Sequence, residues 1–241
     1  MQPNVFMWGG LLKSILDSDL HIILDIVRSS KNSRYNRNKI AGAGEESWLT
    51  IPFVDFKREK LIMNQYLDTS ESTKKKLINF FKSRYSDAPY YKNSLQILET
   101  SLDFNNTKTN LCLVYKNFLN ALKQIGLPVC KVKFASELIS FETSKKNFKG
   151  IELVNLILEK ANAETYLASE NTLNYASQCE YKVPKVLVQK FSAKPYSQIP
   201  FKINQSFIPN LSVLDMISYL EKDELINNLK SSNTWGESKG F

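Results

Sequence analysis

The sequence carries a single histidine, His21, and three cysteines, Cys112, Cys130 and Cys179. So small a supply of imidazole and thiolate leaves the common zinc sites almost without ligands. The cysteines are odd in number and far apart, whereas a secreted disulfide framework needs an even, denser set. Three reduced and mostly buried thiols are therefore expected. Long apolar runs are missing too. The stretch from Leu20 to Val27 is interrupted by His21 and Asp25, and it falls far short of the roughly 20 apolar residues that cross a bilayer. Nor does the N-terminus pair a basic segment with an apolar run and a small-residue cleavage site. These absences predict a cytoplasmic protein with no membrane span. Glycine and proline number only 8 each, and neither clusters into a linker. With no repeat period either, one α/β domain over residues 1–241 is expected, within the size a single core supports.

What is present is an ordinary globular composition, 43% hydrophobic and 23% charged, with 32 Lys and Arg against 24 Asp and Glu for a net charge of +8. A surplus of that size attracts phosphate, whether in a nucleotide, an activated sugar, a nucleic acid or an anionic surface. Richness in Lys and Asn also follows from base composition, so charge alone selects no partner.

Segment types alternate along the chain. Gly9 and Gly10 lead into a helical stretch from Leu11 to Leu16, and His21 to Val27 reads as a short buried strand. Trp48 to Phe53 suggests a second strand, ended near Pro52. The middle reads as helical, a section of about residues 70–127. Its clearest stripe is Leu111, Val114, Tyr115, Phe118, Leu122 and Ile125, with Gly126 as the stop and Pro128 beyond. Strands at Val129 to Phe134, Thr165 to Ala168 and Val183 to Val188 follow, with a helix near Lys149 to Ala161 and another opened by Ser212. Such alternation predicts an α/β fold with a mainly parallel sheet flanked by helices, Rossmann-like, with a helical middle section. Ligands of such folds sit at the carboxyl ends of strands. The loops of interest are then Arg28 to Asn38, Ser169 to Tyr175 and Phe191 to Asn210.

Three constellations stand out. Gln2-Pro-Asn4-Val-Phe6-Met-Trp8-Gly-Gly10 places glycine before a helix, where backbone N–H groups approach an anion closely, although no phosphate-loop Lys-Ser/Thr follows. A turn and cap is its plain structural role. Lys31 to Lys39 interleaves cations with amides, suiting a phosphate or carboxylate, or else simply a solvated basic loop. Nucleic acid would want more aromatics there than Tyr35 supplies. Ser212 and Asp215 have the spacing of a capping box that closes the first turn of a helix. His21, the one ready base near neutral pH, heads an apolar strand, so a core position is expected rather than a triad.

Read together, these segments resemble the WbqC-like protein family. Gln2-Pro with Phe6, Trp8 and Gly10 is similar to its opening motif, and Asn36-Arg37-Asn38 with Ile40 to its Asn-Arg-Asn element. Trp48 to Pro52, Ala88-Pro-Tyr-Tyr91, Tyr166-Leu, Tyr196 with Gln198, and Leu211-Ser212 with Asp215 follow in the family's order. The family's Pro in the aromatic run is Met7 here, and the aromatic after the glycine is Leu11.

The resemblance implies a transferase of surface-polysaccharide (O-antigen-type) sugar biosynthesis, most simply an acyl- or aminoacyltransferase of glycine type acting on a nucleotide-linked amino sugar. On this reading Lys31, Arg37 and Asn38 bind phosphate or carboxylate, Asn36 orients the reacting group or meets the oxyanion, and Asp215 or Asp25 is the base. Tyr166 and Gln198 position the sugar, and Gln2, Asn4, Gly10 and Ser212 complete the substrate contacts. The partners are a nucleotide sugar or other phosphorylated small molecule and an acyl donor. No metal or cofactor is expected, and nucleic acid is disfavoured. The rivals are another nucleotide-binding transferase, glycosyl or nucleotidyl, and a non-enzymatic basic binding module.

Overall fold

A computed structural model describes residues 1–30, 34–41, 46–139, 150–172, 181–198 and 207–237. Seven helices lie among them: α1 Gly9–Leu16, α2 Glu71–Tyr85, α3 Tyr91–Ser101, α4 Leu111–Gln124, α5 Ile151–Lys160, α6 Val213–Tyr219 and α7 Lys222–Ser231. The strands are β1 Leu20–Ile23, β2 Arg37–Ile40, β3 Ser47–Thr50, β4 Tyr66–Asp68, β5 Lys108–Asn110, β6 Lys131–Phe134, β7 Thr165–Ser169, β8 Lys185–Phe191 and β9 Asn233–Glu237.

Local chemistry explains most helix ends. Asn110 caps α4 by accepting from the Cys112 N–H, and the expected stripe from Leu111 to Leu122 is buried. Gly126, at φ +86°, turns the chain out of that helix; Leu127 N then donates to Leu122 O and Gly126 N to Lys123 O, closing the last turn. At the start of α2, Asp68 accepts from the Ser70 N–H at 2.9 Å and the Thr73 hydroxyl at 2.6 Å. The main core gathers Val5, Phe6 and Met7 with Phe81, Tyr85, Phe118 and Leu214, so the start, middle and end of the chain share it. Helix α3 packs against both α4 and α6.

The fold is mixed α/β, but the described strands do not form one mainly parallel sheet. They make four small sheets: β1–β6 parallel, β2–β3 antiparallel, β4–β5 antiparallel, and β7–β8–β9 with a parallel and an antiparallel ladder. The reason lies in the connections. Strands β2 and β3 are joined by a few residues, which permits only a hairpin, whereas parallel pairing needs a long crossover. Such a crossover exists between β1 and β6, and it contains both antiparallel pairs and three helices. Among the described residues no helix is long and apolar enough to cross a membrane.

Candidate functional site

The N-terminal segment, strand β2 and the start of α6 meet through backbone bonds. Ser212 N donates to Lys39 O at 2.8 Å, and Val213 N to Met7 O at 2.8 Å. Trp8 and Ser212 form an isolated antiparallel bridge, and Val5 N donates to Tyr35 O. Because side chains alternate along β2, Asn38 points inward while Arg37 and Lys39 point outward. The Asn38 amide donates to Phe6 O at 2.6 Å and its oxygen accepts from Lys39 N. Asn38 and Ser212 are both fully buried, so they bind the three segments to one another.

Asp215 forms the polar centre of this junction. Its Oδ1 accepts from the Tyr85 hydroxyl at 2.6 Å; its Oδ2 accepts from the Tyr196 hydroxyl and from Gln198 Nε2 at 2.9 Å. Tyr85 in turn accepts from the Ala41 N–H, and the Gln198 oxygen from Ile208 N. Burial raises the Asp215 carboxyl above its ordinary value, and the three donors only partly oppose this. Burial likewise lifts both tyrosines well above theirs, with the neighbouring carboxylate adding to the shift. The reciprocal half of the capping box is not made: Ser212 Oγ accepts from Leu214 N, while the Asp215 carboxylate turns to the phenols and the amide.

A second, open feature lies on the outer side of the hairpin. The Arg37 guanidinium carbon is 4.6 Å from the centre of the Trp48 ring, and Arg34 and Lys39 each approach the same ring to 6.0 Å. Trp48 is 42% exposed. Lys39 is ion-paired with Glu46. Arg37, together with Tyr35, Asn36, Thr50, Phe53 and Phe56, borders a cavity of about 260 Å³. Asn36 borders it with its amide tied to Ile51 O at 2.7 Å, and Tyr35 donates to Gln2 Oε1 at 3.2 Å. Gln2 thus touches the rim of the site through Tyr35.

The remaining candidates are spread more widely. Asp25 is buried and receives the Ser136 N–H at 3.0 Å and hydroxyl at 2.6 Å; neither Asp25 nor Asp215 borders the Arg37 cavity. Gly10 does not cradle an anion, because the Trp8 indole fills the space its missing side chain leaves; an added Cβ would stand 2.2 Å from that ring. Its carbonyl accepts from Gln189 Nε2. The buried Asn4 Oδ1 has no hydrogen-bond partner among the described residues. Tyr166 stands on β7, its ring 5.4 Å from Tyr181 and its hydroxyl pushed up to about 12 by burial. His21 is a core residue paired with the Tyr115 hydroxyl at 3.1 Å, and burial lowers it to about 3. Lys31 lies outside the described residues. Sequence reasoning missed Tyr85, Phe53 and Phe56 as site residues, and read Trp48 as the start of a strand and part of a family motif but not as a site residue.

Among the described residues no three of His, Cys, Asp and Glu converge as a metal site would require. The model of the WbqC-like protein family matches residues 2–226. No curated protein and no solved structure matches the chain.

Proposed function

The chain belongs to the WbqC-like protein family, and we propose that it is a transferase of surface-polysaccharide sugar biosynthesis, moving an acyl or aminoacyl group of glycine type onto a nucleotide-linked amino sugar. The observation that carries this reading is the cavity beside β2, where a guanidinium, an amide and a phenol border one space with two phenylalanines. The cavity, about 260 Å³, is smaller than the usual volume of a small-molecule site, about 300–1,000 Å³, and more polar in its lining, which suits one charged part of a ligand rather than the whole. Among the described residues no carboxylate pairs with Arg37, so its fork stays available for phosphate oxygens.

The sugar's neutral amine attacks the carbonyl of an acyl thioester. A C–N bond forms, the C–S bond breaks, and the proton lost by nitrogen passes through a base to the leaving thiolate. Asn36 is assigned to orientation and oxyanion contact at the cavity wall, and Asn38 to holding β2 in place. Asp215 is the assigned proton acceptor; it is fully buried and borders this cavity neither itself nor through its donors Tyr85, Tyr196 and Gln198, so a relay would have to connect the two. Asp25, held by Ser136, is the alternative. Tyr166 and Gln198 are kept as sugar-positioning groups.

The test is mass spectrometry of nucleotide-linked amino sugars incubated with acyl thioesters. Acylated sugar and free thiol should appear together, and Arg37→Ala should lower the rate at least about tenfold, a loss of roughly 1.4 kcal/mol. Full activity in Arg37→Ala removes the site assignment. Magnesium-dependent release of nucleotide without acylation favours a glycosyl- or nucleotidyltransferase instead.

A further inference from the structure

The Arg37 cavity has a second wall that the transferase reading leaves without a task. The Phe53 and Phe56 rings lie 4.9 Å apart and are inclined at 48°, and both line the cavity that Arg37 lines. Phe53 also packs against the main core, but Phe56 is outside that cluster and only half-buried. Phe56 therefore contributes little to the core while presenting a ring to the cavity. Arg37, which lines the same cavity, is held over Trp48 at 4.6 Å. Stacking on an indole leaves the guanidinium edge, which carries all its N–H donors, free to point elsewhere. Among the described residues no carboxylate pairs with it, whereas Lys39 is matched by Glu46.

Two aromatic rings and a guanidinium lining one cavity have the chemistry of a base-and-phosphate pair. We propose that this cavity is a nucleoside diphosphate subsite, with the base stacked on Phe56 beside Phe53 and the diphosphate on Arg37, Trp48 acting as a positioning residue for the guanidinium. The inference rests on the use of this cavity in the reading above, and it adds which part of the ligand goes where. Stacking is tolerant of base identity because every base has a π-face, so selectivity among bases is expected to be weak.

Isothermal titration of the full chain with UDP, ADP and inorganic pyrophosphate tests it. UDP and ADP should bind at least about tenfold tighter than pyrophosphate. Phe56→Ala should remove that preference and leave pyrophosphate binding unchanged; Phe53→Leu, which keeps an apolar core contact, should weaken it in the same direction. Arg37→Ala should weaken all three ligands. Circular dichroism of each variant guards against misfolding.

Equal affinity of the wild type for UDP and pyrophosphate overturns the subsite, as does a Phe56→Ala variant that binds UDP like wild type. If Arg37→Ala loses binding while Phe56→Ala does not, the anion role stands and the base assignment falls. Phe56-dependent UDP binding in a protein that acylates no amino sugar supports the subsite and ends the acyltransferase reading. Absence of binding by any of the three ligands ends both.

Discussion

The Tyr85 hydroxyl lies 2.6 Å from Asp215 Oδ1, joining the last residue of α2 to the first turn of α6. The same hydroxyl accepts the Ala41 N–H at 2.9 Å, just beyond β2. One oxygen atom thus connects the helical middle, the hairpin and the C-terminal helix. All of it is buried, where a missing partner costs more than an average hydrogen bond contributes.

Tyr85→Phe should accordingly destabilise the fold by about 1–3 kcal/mol, since it strands a buried N–H and removes a donor from a buried carboxylate. Urea unfolding measures this. A change under about 0.5 kcal/mol, the range of ordinary surface substitutions, would show that the junction does not depend on the phenol.

Asp215 gives a pH signature. Its folded-state value is raised by burial, so its contribution to stability is fully present below the unfolded carboxylate value and is lost as pH rises through the folded one. Asp215→Asn has no such titration. The stability of the variant relative to wild type should therefore climb from pH 4 to pH 7 in urea midpoints. Parallel curves for the two proteins would contradict the raised value.

Gly10→Ala pits two effects against each other. Alanine in a helix is worth up to about 1 kcal/mol over glycine, but overpacking costs about 1–3 kcal/mol. With Cβ placed 2.2 Å from the Trp8 ring, the clash should win and the melting temperature should fall. In a Trp8→Ala background the sign should reverse. A double-mutant cycle without coupling would refute this account.

Trp48→Ala should weaken anion binding without loss of stability. The indole is exposed and orders Arg37 from one side only. A severalfold rise in the dissociation constant for pyrophosphate at unchanged melting temperature is expected. Unchanged affinity would mean that the guanidinium needs no platform.

Helices with a strong apolar period were legible in the sequence. The stripe from Leu111 to Leu122 and its Gly126 stop fall where expected, and Ser212 does open a helix. Helix α3 falls within the section expected to be helical but has no clear apolar stripe of its own, because its buried face includes Ser94 and Ser101; Ser94 is satisfied by Ser218, 2.6 Å away on α6. Strand β2 was hidden by composition, since Asn and Lys are poor strand formers. Missing the strand meant missing its alternation, which sends Asn38 inward and Arg37 outward. Asp215 shows a different limit. Its spacing from Ser212 matches a capping box, but the carboxylate answers to Tyr85 and Tyr196, whose positions no local pattern encodes. Phe53 and Phe56 went unnoticed because nothing in the local sequence ties two phenylalanines to Arg37, with which they line one cavity.

The parallel ladder of Leu20–Ile23 with Lys131–Phe134 has a kinetic consequence. During synthesis the first strand emerges long before its mate, and the two can pair only after the intervening hairpin, strand pair and helices have been made. Closing so distant a pair is entropically slow.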